Sequence, residues 1–155
     1  MTLPEKPIRI LMVDDDRMLL KLYRLAVATR PDEFELLTAE NVEEADKLIR
    51  QNRPDAVLLD LILGNRPDTS TDELDKANGF NFLLMLKDDP ETADIPVVIF
   101  SNLSDRTDRD KAHALGAADY LVKAHMLPAE VLAALRQTVE LDQARRKLQG
   151  IHGSL

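Results

Sequence analysis

Short apolar runs alternate along this chain with longer stretches whose apolar residues recur every three or four positions. Ile8 to Val13 is apolar except for Arg9, and it stops at three consecutive acids. Met18 to Ala28 has the helical period, with Leu19, Leu22, Tyr23 and Ala26 expected on the buried side and Pro31 as the stop. Phe34 to Thr38 predicts a short strand. Asn41 then suits an N-cap, with Glu44 as its capping-box partner. The helix it opens buries Ala45, Leu48 and Ile49 and ends near Asn52. Ala56 to Asp60 and Pro96 to Phe100 lack polar alternation, the pattern of strands buried on both faces of a parallel sheet. Between them the spacing predicts a loop from Gly64 to Asn78 and a helix from Gly79 to Lys87. Asp105 to Leu115 predicts a helix with a solvated, charged face and Gly116 as its stop. Asp119 to Val122 predicts a strand. Pro128 suits the first position of a last helix, with Val131, Leu132, Leu135 and Val139 as its buried stripe and an end near Gln149.

The pattern is a strand followed by a helix, five times over. That predicts an α/β fold, a parallel sheet with helices on both faces. In an open sheet of this kind the ligand site lies at the carboxyl ends of the strands, so the residues at those ends carry the functional question.

The first strand ends in Asp14, Asp15 and Asp16, the third in Asp60, the fourth in Ser101 and the fifth in Lys123. Crowded carboxylates repel one another, so their pKa values rise or a cation neutralises them. A hard divalent ion with oxygen ligands is the natural partner, and Mg²⁺ suits one or two carboxylates plus a phosphoryl oxygen. Lys123 can pair with a carboxylate or a phosphate, and the Ser101 hydroxyl can donate to a phosphoryl oxygen. Asp60, at the centre, is a candidate nucleophile for an aspartyl-phosphate. Asp16 is read as a helix cap or a surface residue rather than a ligand. The three histidines, at 113, 125 and 152, are scattered and lack a metal-ligand partner at helical spacing.

Composition narrows the field. The chain has 155 residues, enough for one domain with its own core. With 28 acids against 20 Lys and Arg, its net charge of -8 disfavours a general nucleic-acid or anionic-membrane binder. It has no Cys, which excludes thiol nucleophiles and Cys-zinc sites and suits a reducing cytoplasm. No apolar run approaches the roughly 20 residues of a spanning helix.

Four segments in order carry a resemblance: Val13-Asp14-Asp15-Asp16, Pro54 to Asp60, Pro96 to Ser101, and Gly116 to Lys123. Together they resemble the receiver domain of two-component response regulators, over about residues 7 to 140. The resemblance implies a flavodoxin-like five-stranded sheet in the order 2-1-3-4-5. It implies that Asp60 accepts phosphate from a phosphohistidine on a sensor histidine kinase or phosphotransfer protein. It also implies Mg²⁺ held by Asp14, Asp15, Asp60 and the backbone carbonyl of Ile62, with Lys123 on the phosphoryl group. Ser101 and Tyr120 would be the switch pair, Tyr120 turning inward as Ser101 moves to the phosphate. Departures from the family pattern are Leu61-Ile62 where Met-Pro usually follows the acceptor, a longer stretch before Gly79, and Ala124 where Pro commonly follows the lysine.

Residues 1–149 are therefore expected to form a receiver and 150–155 a flexible tail. Too little chain follows residue 149 for an output domain, so output is expected through the fourth helix, fifth strand and fifth helix, to a downstream protein or a second copy. The loop from Gly64 leaves beside Asp60 and is expected to tune partner choice or dephosphorylation. Two other readings use the same residues. A haloacid-dehalogenase-like phosphatase would take Asp14 as nucleophile and Asp16 as acid. A degenerate receiver would act only as a binding module.

Overall fold

The computed structural model describes residues 6–63 and 72–153. Five strands pair in parallel: β1 (Ile8–Val13), β2 (Phe34–Ala39), β3 (Ala56–Leu59), β4 (Val97–Ser101) and β5 (Asp119–Val122). Their order is β2-β1-β3-β4-β5, as expected. Five helices connect and cover them: α1 (Arg17–Ala28), α2 (Val42–Asn52), α3 (Asp72–Asp88), α4 (Arg106–Ala114) and α5 (Pro128–Gly153).

The sheet is buried on both faces, which is why its strands read as continuous apolar runs. Alternate residues of β1 serve opposite sides. Leu11 and Val13 join Val57, Leu59 and Ile99 in a core with Ile49, Phe82 and Leu83 of α2 and α3. Ile10 and Met12 join Leu58 and Val98 in a second core with Tyr23 of α1 and Leu135 and Val139 of α5. Tyr23 meets Phe100 edge to face, ring centroids 5.8 Å apart.

The caps follow the sequence closely. The Asn41 side chain accepts from the Glu44 amide at 2.8 Å, and the Glu44 carboxylate accepts from the amide of Glu40, one residue before the cap. Gly116 stops α4 at φ +102°, a left-handed conformation that favours glycine.

Four expectations need correction. On α1, Leu22 is 47% exposed, and Leu20, Tyr23 and Val27 form the buried stripe. The expected loop from Gly64 to Asn78 is helical from Asp72 onward, while residues 64–71 lie outside the described residues. Glu, Leu, Lys and Ala in that segment are strong helix formers. Gly79 therefore sits inside α3, where a Cβ would stand 2.3 Å from the carbonyl oxygen of Leu61. Only glycine lets the helix approach the backbone just past Asp60 this closely. Finally, α5 does not stop near Gln149: residues 150–153 of the expected tail continue the helix.

Candidate functional site

The strand register assembles the site. Val13 and Leu59 are partners across β1 and β3, and Leu59 pairs with Ile99 of β4. Asp14 and Asp60 thus leave neighbouring strands at the same level. The Asp60 amide donates to the Val13 carbonyl at 3.0 Å, which extends the ladder one rung past β3. On the far side Ser101 pairs with Val122, so Lys123 follows directly from the last rung of β5.

The side chains converge. Lys123 Nζ lies 2.6 Å from Asp14 Oδ2 and 3.1 Å from Asp60 Oδ2. Asp14 is 1% exposed, Asp60 6% and Ser101 0%. The second oxygen of each buried carboxylate accepts a backbone amide: Asp16 N–H donates to Asp14 Oδ1 at 2.9 Å, and Ile62 N–H donates to Asp60 Oδ1 at 3.2 Å. Asp15 is half-buried beside them. Asp16 caps α1, accepting from the amides of Met18 and Leu19. A cleft lined by Asp15, Asp16, Met18, Asn78 and Phe82 opens next to Asp15.

The electrostatics follow from burial. It pushes the Asp60 carboxyl up to about 7, with the Asp14 charge adding to the rise and Lys123 and the Ile62 amide opposing it. Burial also holds Asp14 above its ordinary range against the pull of Lys123. Burial alone would lower the Lys123 pKa, but the charges of Asp60 and Asp14 outweigh it and leave it raised. One ammonium thus serves two carboxylates, with a third at the edge. Oxygen atoms of Asp14, Asp15 and Asp60 lie within 4.8 Å of one another. All three are hard oxygen donors, so the donor set fits a Mg²⁺ ion.

Tyr120 is 7% exposed and turned inward. Its hydroxyl donates to the Leu103 carbonyl at 2.7 Å, while the Leu103 amide donates to Ser101 Oγ at 3.2 Å. Ser101 and Tyr120 are therefore linked through the β4–α4 loop. Burial raises the Tyr120 phenol above its usual pKa, with the Asp108 charge adding and the neighbouring Ser101 hydroxyl opposing.

All six side chains expected at the site, Asp14, Asp15, Asp60, Ser101, Tyr120 and Lys123, are thus found at or beside one edge. Sequence reasoning missed three neighbours. The Arg109 guanidinium lies 5.5 Å from the Tyr120 ring centre, and Lys123 Nζ lies 5.7 Å from that of Phe100. Asp108 is buried, although its charged run was expected to be solvated. The signal was available: Asp108 is four residues before Ala112 and seven before Leu115, on the apolar side of α4.

The strand order and the acid-lined carboxyl edge define a flavodoxin-like receiver fold. A family model described as "Response regulator receiver domain" matches residues 10–136, and the chain belongs to this family of two-component systems. Similarity to curated proteins agrees. The chain is 34% identical to Protein PilH of Pseudomonas aeruginosa over 115 residues, 74% of this chain and 84% of PilH. It is 33% identical over 127 residues to the phosphate regulon transcriptional regulatory protein PhoB of the same organism, but there it spans only 49% of the relative. Among solved structures, a putative response regulator from Chloroflexus aurantiacus superposes with a TM-score of 0.70 at 25% identity, covering 87% of this chain and 99% of that one. A CheY-like receiver from Methanospirillum hungatei shares the fold, with a TM-score of 0.73 at 16% identity over 90% of this chain and 99% of the other. Receiver domains are generally phosphoacceptor switches that take phosphate from histidine kinases and act on downstream targets.

Proposed function

We propose that this chain is a phosphoacceptor switch that takes a phosphoryl group from the phosphohistidine of a sensor kinase or phosphotransfer protein onto Asp60. The supporting observation is the position of Asp60: nearly buried between Asp14 and Lys123, with one oxygen held by the Ile62 amide. An Asp60 oxygen attacks phosphorus, the P–O bond forms, and the P–N bond to the imidazole breaks. The imidazole leaves with the electron pair and takes up a proton. Mg²⁺ held by Asp14, Asp15, Asp60 and the Ile62 carbonyl would offset the charge on the phosphoryl oxygens. Lys123 exchanges its Asp60 contact for a phosphoryl oxygen. Ser101 donates to another, which takes its hydroxyl from the Leu103 amide. That shift reaches Tyr120 through Leu103 and alters the face made by α4, β5 and α5, where a downstream protein binds. In this reading the chain acts through that face rather than on nucleic acid or a membrane, and it works in the cytoplasm.

The same geometry weighs against the phosphatase reading. Asp16, its required acid, is committed to the α1 cap, and Asp14 is tied to Lys123 and the Asp16 amide. Acetyl phosphate with Mg²⁺ separates the three readings. Stoichiometric label mapped to Asp60 and lost in Asp60→Asn supports the switch. Label on Asp14 with repeated turnover supports the phosphatase. No label on a folded, metal-responsive protein supports a binding module.

A further inference from the structure

Helix α5 carries apolar residues on two opposite sides. Val131, Leu132, Leu135 and Val139 face the sheet and are buried. At about 100° per residue, Leu141, Ala144 and Leu148 fall on the far side of the cylinder. Leu141 and Leu148 are each 60% exposed, and Ala144 is exposed between them. Their spacing of three and then four residues is that of a coiled-coil seam. The helix does not end where its core contacts end: from Val139 it runs on to Gly153, about 20 Å at 1.5 Å per residue. Its direction there is held. Arg146 pairs with Asp142 at 2.9 Å and donates to the Asp94 backbone carbonyl at 2.5 Å, which pins the extension to the segment before β4. Ala144 and Leu148 are thereby left facing away from the domain, while Leu141 stands at the edge of a cleft shared with Pro96 and Ala117.

The charges beside the seam select its occupant. Glu140 and Arg145, both exposed, flank it on opposite sides. When two copies of α5 align in parallel, Glu140 of one meets Arg145 of the other, once on each side of the pair. An antiparallel alignment instead sets Arg145 beside Arg145 and Lys147 beside Lys147. A partner helix with flanks of a single sign would meet a like charge on one side. We propose that a second copy of this chain occupies the face, in a short parallel two-stranded coiled coil with Leu141, Ala144 and Leu148 in its seam. Ala144 lets the helices approach closely but adds little buried area, so the pairing is weak and depends on concentration. It is separate from the phosphoacceptor reading and is measured on unphosphorylated protein.

Sedimentation equilibrium on the full chain tests it. The weight-average mass should climb from monomer toward dimer between about 10 µM and 1 mM, the range of a small interface. Leu141→Glu with Leu148→Glu should weaken the dimer at least tenfold and leave the circular dichroism and Tm unchanged, because both side chains are exposed. Glu140→Arg or Arg145→Glu alone should weaken it, and the two together should restore it. A wild-type chain that stays monomeric throughout overturns the proposal, as does a dimer indifferent to the two leucine changes. Failure of the double charge swap to recover what each single change loses overturns the parallel register.

Discussion

The two rims of the sheet use the same residue types to opposite ends. At the carboxyl rim Lys123 bridges Asp14 and Asp60, all largely buried. At the amino rim Arg50 bridges Asp46, Asp89 and Glu91, and Arg53 and Arg146 reach Asp94, all partly or well exposed. Burial pushes the Asp60 carboxyl up to about 7. Hydrogen bonding to Arg50 holds the Asp89 carboxyl below its ordinary range. Water makes the difference. The amino rim can let each acid return to solvent, so its ion pairs are inexpensive and weak. The carboxyl rim has removed that option, so its acids gain from a cation or from a covalent change in charge.

The largest way to break the contrast is to remove the buried cation. Lys123→Ala leaves Asp14 and Asp60 facing each other with their charge uncompensated. Loss of one partner from a buried pair costs about 3–5 kcal/mol, a fall in Tm of roughly 6–20 °C for a chain of this length. Acidic pH should restore much of the loss by protonating Asp60, and millimolar Mg²⁺ should restore part of it. Thermal melts at pH 5 and pH 8, with and without Mg²⁺, would read this. A melt that falls equally under all four conditions would assign Lys123 a packing role instead.

Removing the raised acid should act in the other direction. The folded-state pKa of Asp60 lies above its unfolded value, so the charge penalty is absent below about pH 4, grows as pH rises through 7, and then levels off. Asp60→Asn should therefore stabilise the metal-free protein at pH 8 by up to about 4 kcal/mol, with no gain near pH 4. Urea unfolding in EDTA checks it. With Mg²⁺ present the sign should narrow or reverse, because the variant has lost a ligand and the wild type gains by linkage. Asp15→Asn should lose most of that metal response with little change in the metal-free protein.

Smaller effects are expected in the fold, much of which is legible in the sequence for physical reasons. A strand buried on both faces must be apolar throughout, so its end is marked where the first charge appears. Asp14, Asp60 and Lys123 were legible for that reason. So was Asn41, because a cap acts on amides within three residues. Asn41→Ala should cost about 1 kcal/mol, seen as a Tm loss of some 2–4 °C that does not change with Mg²⁺. Where the sequence misled, the deciding contact lay far along the chain. Nothing near Gly79 shows that Leu61 presses against it. Leu22 has the spacing of a buried residue, but α1 is apolar on several sides and only tertiary packing selects Leu20, Tyr23 and Val27. Gly150 suggests a stop, yet its Cβ position faces open space and the helix passes through it. The partner of Tyr120 is a backbone carbonyl, which leaves no trace in residue type.

The smallest effect sharpens the comparison most, because it has the opposite pH sign. Arg50 makes three ion pairs, at 3.2, 2.7 and 2.9 Å, with its side chain 38% exposed. Truncation to Ala releases all three acids to water instead of stranding them, so the Tm should fall by less than about 4 °C despite three lost contacts. Asp89 has a lowered pKa in the folded state, so its contribution is present above the unfolded value and is lost as pH falls through the folded one. The difference between wild type and Arg50→Ala should accordingly be seen at pH 7, shrink toward pH 3, and weaken in high salt, since exposed pairs are screened. The Asp60 effect also grows as pH rises from 4 to 8, but with the opposite sign: Asp60→Asn gains stability over the wild type where Arg50→Ala loses it. Melts of the two variants on one pH axis should cross in sign of slope. Parallel slopes would mean that the rims do not differ in the way their burial requires.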